Sequence, residues 1–266
     1  MPTDNARAGP TVATLPICRE RVGTFRPPSY DRCMSQIGQR VEELQEDAAR
    51  MLRRVKPKMR GWLHTGMFPA AMVAGLALVV VGPTLKARIG AAVFTLTAGL
   101  LFGISSLYHR GTWSPNYEGF LKRFDHANIF LIIAGTYTPF ALTLLPPDQG
   151  TQLLVIVWTG AIAGVLFRVF WVGAPRWLYV PIYIALGWVA IFYLNPMYEH
   201  GGLLIVSLIG LGGLLYTAGA VVYGLKRPDP SPTWFGFHEI FHALTLLGFA
   251  SHYTAAMLAV LRLPAG

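Results

Sequence analysis

The chain has 266 residues, of which 53% are hydrophobic and only 13% are charged, where an ordinary soluble domain is about 25% charged. The formal net charge is +9, yet residues 1–60 hold 12 of the 22 Lys and Arg and 7 of the 13 Asp and Glu. No groove-reading motif accompanies the positive charge, so a nucleic-acid partner is set aside, and the basic excess reads as membrane topology and attraction to anionic lipid.

Residues 1–33 carry Pro10, Pro16, Pro27 and Pro28 among small and polar residues and read as a flexible cytoplasmic arm. Cys18 and Cys33 lie in it, without metal-ligand spacing, and are expected to be reduced. Residues 34–58 read as an amphipathic cytoplasmic helix. Ile37, Val41, Leu44, Ala48, Met51, Leu52 and Val55 follow helical spacing, with charges filling the rest. Such a helix lies on the bundle or the lipid surface; the alternative is a docking helix for a protein partner. The polar N-terminus lacks an early apolar core, so no cleavable signal is expected and the first span inserts the chain.

Residues 59–262 read as an all-α transmembrane domain. A spanning helix needs roughly 20 mainly apolar residues. Seven segments qualify: about 62–81, 89–108, 127–145, 151–170, 177–195, 202–224 and 238–261. The fourth is the least clean, because Arg168 sits near its end. Orientation follows from Lys and Arg. With the N-terminus cytoplasmic and the C-terminus outside, the inner segments hold 19 basic residues and the outer ones 3. Without the N-terminal tail the split is 7 to 3.

This topology brings ionisable residues together. His109 ends the second span, Asp125 precedes the third, and His238 and His242 open the seventh. All four fall on the cytoplasmic face. Ionisable groups at the membrane edge are expensive and are functional candidates by default. His238 and His242 are four apart, so both imidazoles share one helix face. A catalytic zinc takes three protein ligands and leaves one position open. His109 is the natural third ligand. Asp125 can hold the water that such a metal activates, take its proton, or ligate directly. Ser105, four residues before His109, also points to the site; an intramembrane Ser otherwise bonds its own backbone.

The string HEIFH also fits a zincin pattern in which Glu239 is the general base. On a helix, however, Glu239 points about 100° away from His238; the plainer reading pairs it with a basic residue at the membrane edge. His252 lies about 21 Å along the axis from His238 and cannot share its metal. It lines the outer part of a cavity or is held by packing or hydrogen bonding. His64, His126 and His200 read as structural or solvated.

These residues carry a resemblance. Ser105-x-x-x-His109, Asp125, and His238-x-x-x-His242, within the strings SSLYHR, FDHANIFLIIAGTYTPF and HEIFHAL, resemble the progestin and adipoQ receptor family, and within it the bacterial hemolysin III branch. The likeness covers about residues 58–262. It implies a seven-helix fold inverted relative to G-protein-coupled receptors, in a cell membrane, here the bacterial inner membrane. It implies zinc near the cytoplasmic leaflet on His109, His238 and His242, with Asp125 at its water and Ser105 behind. Adiponectin receptors of that family have been linked to ceramide hydrolysis. Family members often carry Glu and Asn before a first-helix His. If His64 is that residue, this chain has Pro57 and Arg60 there instead.

The leading expectation is therefore a zinc-dependent membrane hydrolase of lipid amides or esters, whose partners are membrane lipids and a substrate with an acyl chain. The competing functions are a receptor or regulator with structural zinc, an intramembrane metalloprotease using Glu239, and a lytic pore. A pore calls for polar stripes through several helices, and few such positions occur.

Overall fold

The computed structural model describes residues 35–45, 57–171 and 173–263, and the chain divides into two units, Met1–Lys56 and Pro57–Gly266. In the first unit, residues 35–45 form α1, with an exposed Arg40–Glu43 ion pair at 2.8 Å. The arm over 1–33, its two cysteines, and residues 34 and 46–56 of the amphipathic segment lie outside the described residues.

Among the described residues the second unit is built of helices, and the one β-bridge, Ser231 with Phe235, stands in a link. Seven α-helices follow in order among the described residues: α2 (Trp62–Val81), α3 (Leu85–Arg110), α4 (Pro115–Leu144), α5 (Pro147–Phe170), α6 (Arg176–Gly187), α7 (Leu194–Leu225) and α8 (Phe237–Leu261). A 3₁₀ segment, Trp188–Tyr193, joins α6 to α7. By length and composition α2, α3, α4, α5 and α8 can each cross a membrane. The run Arg176–Leu225 counts as a sixth unbroken apolar stretch.

That stretch folds back on itself. Gly202 has φ +72° and ψ 175°, a region essentially reserved for glycine. Trp188 Nε1 donates to Thr217 Oγ1 at 3.0 Å, and the hydroxyls of Tyr179 and Tyr223 lie 3.3 Å apart. Each pair straddles Gly202 nearly symmetrically, so the segments before and after it run antiparallel. Arg262 donates from Nη1 to the carbonyl of Gly201 and ties the turn to the end of α8. Seven passes result, consistent with the count expected from the sequence.

One boundary differs. The third span was expected to begin after Asp125 and His126, but α4 begins at Pro115. Proline at the first helical position removes an N–H that would lack a partner anyway. No further proline follows before Asp125, and the helix runs on through Gly119 and a polar stretch that hydropathy does not mark. Asp125 therefore sits on a rigid helix rather than at a helix start.

The helices meet through small residues, as expected where lipid offers no hydrophobic drive to association. A Cβ at Gly75 of α2 would come within 2.3 Å of Thr95 Oγ1 on α3, and one at Gly135 of α4 within 2.0 Å of Thr97 Oγ1. Outward residues are large and apolar: Val73 is 73% exposed and Phe170 83%. In water such a surface would be an aggregation hazard; against acyl chains it is matched.

Candidate metal centre

The links before α2 and α8 lie side by side, with Lys58 N donating to Thr233 O at 3.0 Å and Met59 N to Trp234 O at 3.2 Å. The starts of α2 and α8 and the end of α3 thus share one end of the bundle. His109 reaches this point from the last turn of α3, and His238 and His242 from the first two turns of α8. Their ligating nitrogens all lie within 4.8 Å of one another. His109 Nε2 and His238 Nε2 are 3.1 Å apart. Two nitrogens on one tetrahedral zinc, at about 2.0–2.1 Å from it, would be about 3.4 Å apart. Three convergent imidazoles at this spacing fit a zinc-type ion, and it is the only such grouping among the described residues.

Asp125 stands beside the triad, with Oδ2 3.8 Å from His109 Nε2 and 3.8 Å from His126 Nδ1. Ser105 is buried and lines the same cavity end as Asp125. All five residues singled out from the sequence (Ser105, His109, Asp125, His238 and His242) therefore gather at one place. His126 is hydrogen-bonded at both ring nitrogens: Nδ1 meets Lys122 O at 2.8 Å and Nε2 meets the Tyr223 hydroxyl at 3.1 Å. His200 bonds Pro196 O at 2.8 Å and lies apart from the site.

Glu239 is fully buried and both its oxygens are engaged. Oε1 accepts from Arg60 Nε at 2.5 Å, and Oε2 accepts from Gly236 N at 2.8 Å, closing the first turn of α8. The basic partner anticipated at the membrane edge is thus Arg60, the residue that departs from the family's first-helix pattern.

His64 is the residue that sequence reasoning underrated. Its ring stacks on His242 with centroids 3.8 Å apart and 12° between planes. It is 2% exposed, and neither ring nitrogen has a hydrogen-bond partner. Two parallel stacked rings cannot both aim lone pairs at one ion, so His64 is not a fourth ligand in this arrangement. The available signal was its place one turn into the first span, at the same end as His109 and His238.

A cavity of about 180 Å³ lies inside the bundle, and His242 is the member of the triad that lines it. His64, Ser105, Asp125 and His242 line its polar end, and Ile132, Phe140 and Ile209 are among its apolar walls. α3, α4, α6, α7 and α8 all contribute to it.

A family model described as Haemolysin-III related matches residues 52–253. The chain is similar to Hemolysin-3 of Bacillus cereus, 31% identical over 224 residues, which covers 81% of this chain and 97% of that protein. It is also similar to the Hemolysin-3 homolog of Bacillus subtilis (strain 168), 33% identical over 172 residues, covering 65% of this chain and 78% of that one. The triad, Asp125, Ser105 and His64 all fall inside the matched range.

Proposed function

This chain belongs to the haemolysin-III related family of multi-pass membrane proteins, and on that premise we propose that it is a zinc-dependent hydrolase of lipid amides or esters in the cell membrane. The observation that carries this reading is an apolar cavity whose polar end is lined by His242 of the triad together with Asp125, Ser105 and His64. A metal centre that only braced the fold would need no such chamber.

His109, His238 and His242 would hold the zinc, which when bound lowers the pKa of a water and polarises a carbonyl. Asp125, on the rigid helix α4, accepts a proton from the attacking water and returns it to the leaving amine or alcohol as the carbonyl–heteroatom bond breaks. Ser105, at the same cavity end, orients the Asp125 carboxyl. His64 offers an unspent N–H to the substrate carbonyl. The acyl chain lies along Ile132 and Phe140, where dry walls exclude competing water. The N-terminus is cytoplasmic and the C-terminus outside, so the site opens toward the inner leaflet.

The metalloprotease reading is disfavoured because Glu239 is tied to Arg60 and Gly236 N and does not line the cavity, whereas Asp125 does.

The test is Asp125→Asn in the purified full chain. It should keep zinc and abolish hydrolysis of a panel of ceramides, other lipid amides and esters that the unaltered protein cleaves. No hydrolysis by the zinc-loaded unaltered protein across that panel would overturn the enzyme reading in favour of a receptor or regulator with structural zinc.

A further inference from the structure

The cavity has a second polar point, far from the triad. His252 lies ten residues beyond His242 on α8, about 15 Å along the helix axis. Its Nε2 meets the carbonyl of Ile209 at 3.0 Å. A carbonyl only accepts, so Nε2 carries the proton and Nδ1 is left as a lone-pair acceptor. Nδ1 is buried and has no partner. The Tyr216 hydroxyl on α7 is likewise buried without a partner. The two rings lie 5.5 Å apart between centroids, and both line the cavity.

The other hydroxyls along this chamber are already engaged. Tyr137 donates to Gly187 O and accepts from Ala190 N; Thr217 accepts from Trp188 and donates to Gly213 O; Thr136 and Thr245 bond their own helices. A polar group left unpaired in an apolar interior costs free energy, so two at one spot call for an occupant.

The pair is also built into the helix contact. The His252 ring lies over Gly212 of α7, where a Cβ would come within 2.4 Å of it, and the Tyr216 ring lies over Gly248 of α8, where a Cβ would come within 3.1 Å. Each glycine admits the ring from the facing helix.

The occupant must donate to Nδ1 and meet a phenol as donor or acceptor. A methylene does neither, and a carboxylate cannot donate. A hydroxyl does both. We propose that Tyr216 and His252 form a distal subsite for a hydroxyl group borne on the acyl chain of the ligand, so that the cavity selects chains hydroxylated at one depth over unsubstituted chains. This rests on the reading that the cavity takes an acyl chain, and not on hydrolysis.

The experiment uses the purified full chain and a series of octadecanoic acids carrying one hydroxyl at successive positions, with octadecanoic acid itself, each competing against a fluorescent fatty acid. One position, or two adjacent ones, should bind up to about tenfold more tightly than the unsubstituted acid, the gain expected of a satisfied buried hydrogen bond. Tyr216→Phe removes only an unpartnered hydroxyl. It should flatten the series while leaving octadecanoic acid affinity and zinc content unchanged. A flat series in the unaltered protein, as when a water fills the subsite, or a peak that survives Tyr216→Phe, would overturn the subsite while leaving the acyl-chain reading intact. Binding of none of the acids would overturn both.

Discussion

The contact between Arg60 and Glu239 makes the sharpest test of how the metal end of the bundle is held. Glu239 is 0% exposed and Arg60's side chain 21%. Replacing Arg60 with Met strands a carboxylate in the interior with only the Gly236 N–H as partner. Removing one member of a buried pair costs about 3–5 kcal/mol. The lower end applies, because the partial exposure of Arg60 lets water reach the gap. At roughly 2–4 °C per kcal/mol for a domain of this size, a loss of about 3 kcal/mol lowers Tm by about 6–12 °C. Glu239→Gln keeps an acceptor for Gly236 N–H and frees Arg60 to turn to solvent, so its cost is about 1–2 kcal/mol. The double substitution should be less damaging than the sum, since the neutral pair leaves no stranded charge. The assay is a thermal unfolding cycle of the four proteins in one detergent, with zinc content measured on each. A Tm for Arg60→Met unchanged within error would refute the ion pair as a structural tie. Glu239→Gln with normal Tm and zinc but no hydrolysis would refute it too, and would put Glu239 in the chemistry.

The remaining expectations are direct. Alanine at His109, His238 or His242 should sharply lower zinc content by elemental analysis, while His200→Ala should not; full retention in the His238→Ala, His242→Ala double variant would remove the triad as the site. Reporter fusions after Lys226 and at Gly266 should report opposite sides of the membrane, cytoplasmic and outer, and the same side for both would overturn the orientation. Gly202→Val forces a branched side chain into a glycine-only backbone region and should cost about 1–3 kcal/mol in thermal unfolding; Gly210→Ala, with open space at its Cβ, should cost nothing comparable.

The sequence by itself determined the class of fold and which ionisable residues share one end of the bundle. Backbone groups in lipid must be satisfied within the segment, so long apolar runs have to be helices. The helix ends then followed from where the apolar runs stop. The run over 177–224 shows how closely: the expected gap between 195 and 202 ends at the glycine whose positive φ folds the chain back. His238 and His242 share a face through helical geometry alone, and the alternation of passes brought His109 and Asp125 to the same end. The polar start of α4 was not legible, because hydropathy marks burial in lipid and not helix as such.

Only the tertiary structure decided which faces meet. A helix that is apolar all round carries no stripe to fix its rotation about its own axis. The stacking of His64 on His242, the pairing of Arg60 with Glu239 across 179 positions, and the meeting of Tyr216 with His252 all depend on that rotation. Small residues set it locally, as Gly212 and Gly248 do where α7 and α8 admit each other's rings. Spacing along one helix told which residues travel together; close packing between helices told what they travel toward.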